Sequence, residues 1–251
     1  MTALAAIGII CKTPTPGASK TRLLPLLGRD GAAELAGCFL RDVASAISAV
    51  PYAIGRRGYA VYAPEGSEAE LGRYLPADFG LLCRRGTTLT PVLLGATEQL
   101  LLRGHDCVVL VNADSPTLPT AFIASAIAAL REPGDRVVLG PATDGGYYLI
   151  GLKHAHARLF TDIPWSTPAV LATTRQRAAE IVLETLLLPE WYDVDDKDTL
   201  ATLLAEIQTG TLPFDARGVR GGPAEATRQF LAGRPDLTSK LDCRGGGASH
   251  P

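Results

Sequence analysis

Three cationic side chains crowd one short stretch of the chain. Lys12, Lys20 and Arg22 lie in K-T-P-T-P-G-A-S-K-T-R, residues 12–22. Phosphate groups are bound by positive charge together with backbone N–H groups that approach closely. Gly17 permits such an approach, and Ser19 or Thr21 can add a hydroxyl. The stretch is neither a G-x-x-x-x-G-K-[ST] loop nor a G-x-G-x-x-G turn, so those two nucleotide sites are not supported. Its plainer reading is a solvated loop that happens to be basic. Acidic groups complement it. Asp114 follows the apolar run Val108, Val109, Leu110 and Val111 in V-V-L-V-N-A-D-S-P, and Asp193 and Asp195 stand in D-V-D-D-K-D. Mg²⁺ takes only one or two carboxylates beside substrate phosphates and waters. Asp114 can instead cap a turn. Acidic residues at a helix start are ordinarily favourable, a reading that suits Asp196 and Asp198 better than Asp193 and Asp195.

A further stretch reads G-P-A-T-D-G-G-Y-Y-L-I-G-L, residues 140–152. Asp144-Gly145 between two apolar runs is a hairpin signal. Gly145 and Gly146 would also let an acceptor approach the backbone, with Asp144 and Thr143 as polar contacts. Tyr147 and Tyr148 are adjacent, so on a strand they face opposite sides. His154 and His156 lie two apart in a polar stretch. A His-x-His pair can ligate a metal, but two surface residues are the plainer reading. No G-x-S-x-G elbow or Cys/His pair suggests a covalent nucleophile.

These residues need a scaffold that brings loop ends together. The spacing predicts strands over residues 3–11, 59–63, 80–83, 106–111, 136–140, 147–152 and 181–187. It predicts helices over residues 29–50, 67–74, 91–103, 119–131, 168–180, 199–208 and 223–231. Pro14, Pro16 and Gly17 make residues 12–27 a loop. A short apolar run bounded by turn residues suits a strand buried on both faces. Alternating strands and helices predict a doubly wound α/β sheet with helices on both faces. Open α/β sheets bind ligands beyond the carboxyl ends of their strands, where Asp114 and the basic loop both fall.

The 251 residues, 47% hydrophobic and 20% charged, fit one domain over residues 1–232, with a tail over 233–251 expected to be disordered. A net charge of -2 gives no electrostatic case for nucleic acid or anionic membrane as partner. The five cysteines, Cys11, Cys38, Cys83, Cys107 and Cys243, form no C-x-x-C pair and read as reduced thiols of a cytoplasmic protein. The apolar opening run is too short to span a bilayer.

Taken in order, the motifs resemble a known bacterial family. They are Lys12, Pro14, Pro16, Gly17, Lys20, Thr21, Arg22 and Leu23; Asp114-Ser115-Pro116; Gly140-Pro141 with Asp144-Gly145-Gly146-Tyr147-Tyr148-Leu149 and Gly151-Leu152; Phe160, Ile163 and Trp165-Ser166-Thr167; and Asp193-Val194-Asp195. The family is the GT-A-like glycosyltransferases of the nucleotide-diphospho-sugar transferase superfamily. The chain is similar, more distantly, to 2-phospho-lactate guanylyltransferase and molybdenum-cofactor guanylyltransferase. The resemblance spans roughly residues 5–204. It implies a GT-A, Rossmann-like three-layer α/β/α sandwich with a mostly parallel mixed sheet and a site assisted by Mg²⁺ or Mn²⁺. It implies that Lys12, Gly17, Lys20, Thr21 and Arg22 hold donor phosphates, with Asp114, Lys20 and Arg22 as the catalytic set. Asp114, Asp195 and Asp193 would be metal ligands, and Asp144, Gly145, Gly146 and Trp165 would line the acceptor side. Two places depart from the family pattern. Asn112 stands where glycine is usual, and residues 86–95 lack a Leu-Gly-x-Arg pattern. The partners implied are a nucleotide or nucleotide-sugar donor and a small-molecule acceptor. Sugar transfer is what the resemblance suggests. Nucleotidyl transfer from a triphosphate is what three cations on one loop suggest. A non-catalytic nucleotide-binding domain on the same fold is the third alternative.

Overall fold

Strand residues alternate between two faces, and here both faces are apolar. Ala5, Ile7 and Ile9 of β1 (Ala5–Ile10) and Val109 and Val111 of β4 (Val108–Asn112) join one core, whereas Ala6, Val108 and Leu110 join the other. The computed structural model describes residues 4–214 and 218–242. Five more strands complete the sheet: β2 (Arg56–Tyr62), β3 (Gly80–Cys83), β5 (Arg136–Pro141), β6 (Tyr147–Leu152) and β7 (Glu184–Leu187). Their order is β3-β2-β1-β4-β6-β5-β7. Only β6 runs antiparallel to its neighbours β4 and β5; the other pairs are parallel.

Helices cover both faces. One carries α1 (Leu24–Ser48), α4 (Thr120–Arg131), α6 (Lys197–Thr209), α7 (Glu225–Ala232) and α8 (Asp236–Asp242), and also the short α2 (Glu68–Leu71). The other carries α3 (Leu89–Leu102) and α5 (Val170–Glu180). The result is a three-layer α/β/α sandwich: the helices on both faces are those the strand–helix alternation predicts, and the mixed, mostly parallel sheet is the one the resemblance implies. The described cysteines, Cys11, Cys38, Cys83 and Cys107, are free thiols. Among the described residues, no helix is long and apolar enough to cross a membrane.

Three expectations are corrected. The loop expected over residues 12–27 ends early: a 3-10 turn at Thr21–Leu23 leads straight into α1, anchored by fully buried Leu23. Pro25 occupies the first turn, where its missing N–H is harmless. Gly28, at φ 69° and ψ 178°, then breaks α1 and re-aims it. The strand expected over residues 181–187 begins only at Glu184, because Ile181 and Val182 close α5 and Val182 is 94% exposed at φ 54°. The tail expected to be disordered from Gly233 contains α8, whose Leu237 and Leu241 are buried one helical turn apart. The rest of that tail, residues 243–251, lies outside the described residues.

Helix α7 lacks a side-chain cap of its own. Asp42 of α1 supplies one from across the core, accepting from the N–H groups of Ala226 and Thr227 at 2.9 Å each. Asp42 is buried, so replacing it leaves two helix-end donors without a partner. Asp42→Ala is expected to lower stability by about 1–3 kcal/mol in denaturant melts, with proteolysis opening near α7 first.

Candidate active site

Strands β1 and β4 lie side by side, with Ile10 opposite Asn112 at their carboxyl ends. From β1 the chain moves outward to β2 and β3, and β4 leads the other half of the sheet. At such a switch point the connections diverge and leave a crevice. The basic loop enters that crevice from β1, and Asp114 enters it from β4. The third contributor comes from the far edge. After β7 the chain runs back across the carboxyl rim, stitched by Trp191 N–H to Pro141 O (3.0 Å), Thr143 N–H to Trp191 O (3.0 Å) and Val194 N–H to Asp114 O (2.8 Å). Trp191, Tyr192 and Val194 are buried along this return, which leaves Asp193 and Asp195 facing the crevice.

The three segments meet at Lys20. Its Nζ lies 2.5 Å from Asp114 Oδ1 and 3.0 Å from Asp195 Oδ1, and donates to Val194 O at 2.6 Å. It also sits 5.2 Å from the centre of the Phe39 ring. The Lys20 side chain is 6% exposed, against 41% and 43% for the two carboxylates. Burial alone would lower the lysine pKa; attraction to Asp114 and then Asp195 outweighs it, so the net direction is upward and the ammonium stays charged. Local backbone aims the side chain inward. Thr15 O accepts from Ala18 and Ser19, Gly17 turns at φ 79°, and Lys20 itself is left-handed at φ 45°.

Two adjoining cavities open on this cluster. The first, about 470 Å³, is lined by Lys12, Ser19, Lys20, Thr21, Arg22, Arg84, Asp114 and Asp195. The second, about 510 Å³, is lined by Arg22, Asn112, Asp114, Asp144, Gly146, Tyr147, Trp165, Thr167, Asp193 and Asp195. Lys12, Thr21 and Arg22 are exposed in the first, whereas the Lys20 ammonium is occupied by three acceptors. Free cationic capacity for a phosphate therefore rests with Lys12, Arg22 and Arg84.

The Asp144-Gly145 stretch is the hairpin turn its sequence suggests. Gly145 N–H donates to Ala142 O at 3.0 Å, and Asp144 Oδ1 accepts from Gly146 N–H at 2.8 Å. The turn also forms a wall of the second cavity through Asp144 and Gly146. Gly145 itself packs against Pro168; at φ 88° any Cβ there would lie 2.3 Å from the Pro168 carbonyl oxygen. Trp165 is held by Nε1 donating to Thr90 Oγ1 at 2.9 Å and by an edge contact with Tyr147 at 6.3 Å. Tyr147 and Tyr148 do face opposite sides of the sheet.

Negative charge exceeds positive in the second cavity. Burial, then Asp195, Asp144 and Asp114, push the Asp193 carboxyl up to about 7. The donor set is all carboxylate, which suits a hard divalent cation. The crowding of Asp193 by three like charges is what such an ion would relieve, although the ligand oxygens of Asp114, Asp193 and Asp195 do not all fall within 4.8 Å of one another in this arrangement.

The structure adds one residue that the motifs did not single out, Arg84, and gives a role to Asn112, noted above only as a departure. Arg84 follows β3 at the same rim and lines the first cavity, its Nε buried without a protein partner. Its signal was available, as a basic pair at the carboxyl end of a strand. Asn112 lines the second cavity, and its Oδ1 accepts from Asp114 N–H at 3.3 Å, holding the turn that aims the aspartate.

The profile of a bacterial family described as an uncharacterized protein conserved in bacteria (DUF2064) matches residues 47–167. No curated protein matches the sequence. Among solved structures, the chain is similar to a Desulfovibrio desulfuricans G20 protein provisionally assigned as a nucleotide-diphospho-sugar transferase. Identity is 26% and the TM-score 0.79, over 94% of this chain and 97% of that one. It shares its fold with CMP:2-keto-3-deoxy-manno-octonic acid synthetase, solved with CTP, at 11% identity and TM-score 0.54, over 83% of this chain and 100% of that one. A cytidylyltransferase from Leptospira borgpetersenii serovar Hardjo-bovis (strain JB197) matches at 10% identity and TM-score 0.51, over 96% and 97%.

The raised Asp193 pKa sets a stability trend. Between the ordinary carboxylate value of 3.8 and about 7 the folded chain binds more protons than the unfolded chain, so this group's contribution falls as pH rises through that window. Asp193→Asn is expected to melt higher than wild type at pH 8, with the gap closing by pH 5. A gap independent of pH would sink the assignment. Gly145→Ala is expected to destabilise by about 2–4 kcal/mol, since it adds left-handed strain to a backbone clash; calorimetry reads it directly.

Proposed function

We propose that the chain is a transferase that takes a group from a nucleotide donor with the help of Mg²⁺ or Mn²⁺. The observation that carries this reading is the Lys20 ammonium bridging Asp114 and Asp195 at the sheet's switch point, between a cationic cavity and an acidic one. The donor phosphates go to the cationic cavity, where Lys12, Arg22 and Thr21 meet them, while Gly17 shapes the loop from outside the cavity wall. The acceptor goes to the cavity walled by Asp144, Gly146 and Trp165, with Gly145 holding that wall in place. Asp114, Asp195 and Asp193 would hold the metal, which would supply positive charge to neutralise the leaving phosphates. The protein residues contribute positioning and electrostatics. Arg22 lies on both cavities and stabilises charge developing between them. Lys20 fixes the carboxylates that would otherwise repel one another.

The likeness to the Desulfovibrio protein supports sugar transfer from a nucleotide sugar as the first reading. A specific observation favours a second. Arg84 adds a cation to the wall already holding Lys12 and Arg22, which suits a triphosphate and hence nucleotidyl transfer. Free thiols and the nucleotide donor both suit a cytoplasmic setting.

Nucleotides are to be screened by thermal shift with and without Mg²⁺. At a hundredfold excess over Kd, stabilisation of about 2.7 kcal/mol moves Tm by roughly 5–10 °C. Stabilisation by triphosphates alone, with pyrophosphate released on adding acceptors, would select nucleotidyl transfer over sugar transfer. Asp114→Asn is expected to abolish the Mg²⁺-dependent part of the shift. Lys20→Met is expected to abolish nucleotide binding and to lower stability by about 2 kcal/mol, between the values for exposed and buried ion pairs. Mass spectrometry finding no transferred group with any donor, despite binding, would make the chain a nucleotide-binding domain without turnover.

A further inference from the structure

The opposite rim of the sheet carries a second cluster of ligating groups. Asp135 precedes β5, and His154 and His156 follow β6. These strands pair antiparallel with Val137 opposite Leu152, so the start of one and the end of the other adjoin. Strand β6 separates this rim from the Asp144–Gly146 turn by five residue steps, about 17 Å. The cluster therefore belongs to neither cavity described above.

Its geometry is that of a ligand set. Asp135 Oδ2 lies 2.8 Å from His156 Nε2, and Asp135 Oδ1 lies 3.3 Å from His154 Nδ1. The three ligand atoms fall within 4.8 Å of one another. Ligands around a tetrahedral Zn²⁺ at about 2.0–2.1 Å stand about 3.3 Å apart, so small side-chain movements would seat the ion. Asp135 Oδ1 is buried and makes no well-aligned hydrogen bond, its contact being His154 Nδ1 at 3.3 Å. The backbone beneath is fixed. Lys153 Nζ donates to Glu132 O and Gly134 O, and Arg136 donates to Ala129 O and Pro133 O at 2.7 and 2.8 Å. His154 is 68% exposed, which leaves the outer side open to solvent and an entry path.

We infer that Asp135, His154 and His156 form a binding site for one borderline transition-metal ion, Zn²⁺ foremost, which clasps the β5 and β6 ends together. Two imidazoles and one carboxylate select Zn²⁺, Co²⁺ or Ni²⁺ over Mg²⁺. The carboxylates of the other rim have the reverse preference. The fourth position is taken by water.

The full chain, stripped of metal, is titrated with ZnCl₂ by calorimetry and with CoCl₂ by visible absorption, in excess Mg²⁺. One equivalent is expected to bind, with a Co²⁺ spectrum free of thiolate charge transfer. His154→Ala and His156→Ala are each expected to weaken it more than about hundredfold, and Asp135→Asn at least about tenfold. Circular dichroism checks that each variant folds, and Asp193→Asn, on the other rim, should leave the Zn²⁺ isotherm unchanged. Absence of a saturable one-to-one site overturns the inference. So does Zn²⁺ binding that survives both histidine variants, or a Co²⁺ spectrum with thiolate bands.

Discussion

The site depends on one ammonium. Lys20 is linked to segments 174 and 175 residues later in the chain, through Val194 and Asp195, and also touches Asp114. Taking an ammonium out of water costs several kcal/mol after relaxation and is offset only by good partners. Two carboxylates and a carbonyl meet that condition. The dependence runs both ways. Asp114 and Asp195 would repel at this separation without a cation between them, and Asp193 and Asp144 add to that repulsion. The ion pair thus holds the return segment after β7 against the loop after β4, helped by the Val194 to Asp114 backbone bond.

The scaffold was largely legible because the central strands are continuous apolar runs, and their carboxyl ends are the natural place for ligands. Asp114 could be placed at the rim from Val108 to Val111 alone. Asp193 and Asp195 were legible as candidates, and the alternation of Tyr192 and Val194 with them carries the direction each side chain takes. The direction of Lys20 was not legible. It follows from a left-handed residue after a Gly17 turn, and composition alone does not distinguish an inward lysine from an outward one. Arg84 was not legible as a site residue because a basic pair after a short strand has the composition of an ordinary solvated loop. Helix α8 was missed because D-L-T-S-K-L-D is mostly polar, although Leu237 and Leu241 stand four apart, the spacing of a one-sided helix.

Ile181 and Val182 misled for a related reason. β-branched residues next to a strand read as part of it, yet here the helix end needed them first. The chain turns at Val182 in a left-handed conformation and only then enters β7. An edge strand of four residues, none of them fully buried and paired on one side only, is short enough that local turn geometry sets its start.

The two places where the chain departs from the pattern it resembles, Asn112 and residues 86–95, have structural roles. Asn112 aims Asp114, a task a glycine could not perform with a side chain. Within residues 86–95, Thr90 donates to Phe160 O at 2.8 Å and accepts from Trp165 Nε1. That segment therefore fixes the aromatic wall of the second cavity. On the proposed function, the cluster of carboxylates and cations would recognise phosphates and a metal, and such contacts are indifferent to the base or sugar attached. Discrimination has to come from the walls, through shape and through polar atoms that go unpaired with the wrong ligand. In this chain the walls are Arg84, Leu89, Tyr147 and Trp165, two of them in or beside the departing segment. A changed wall around a charge cluster of this kind changes which ligand is selected before it changes whether the chemistry is possible.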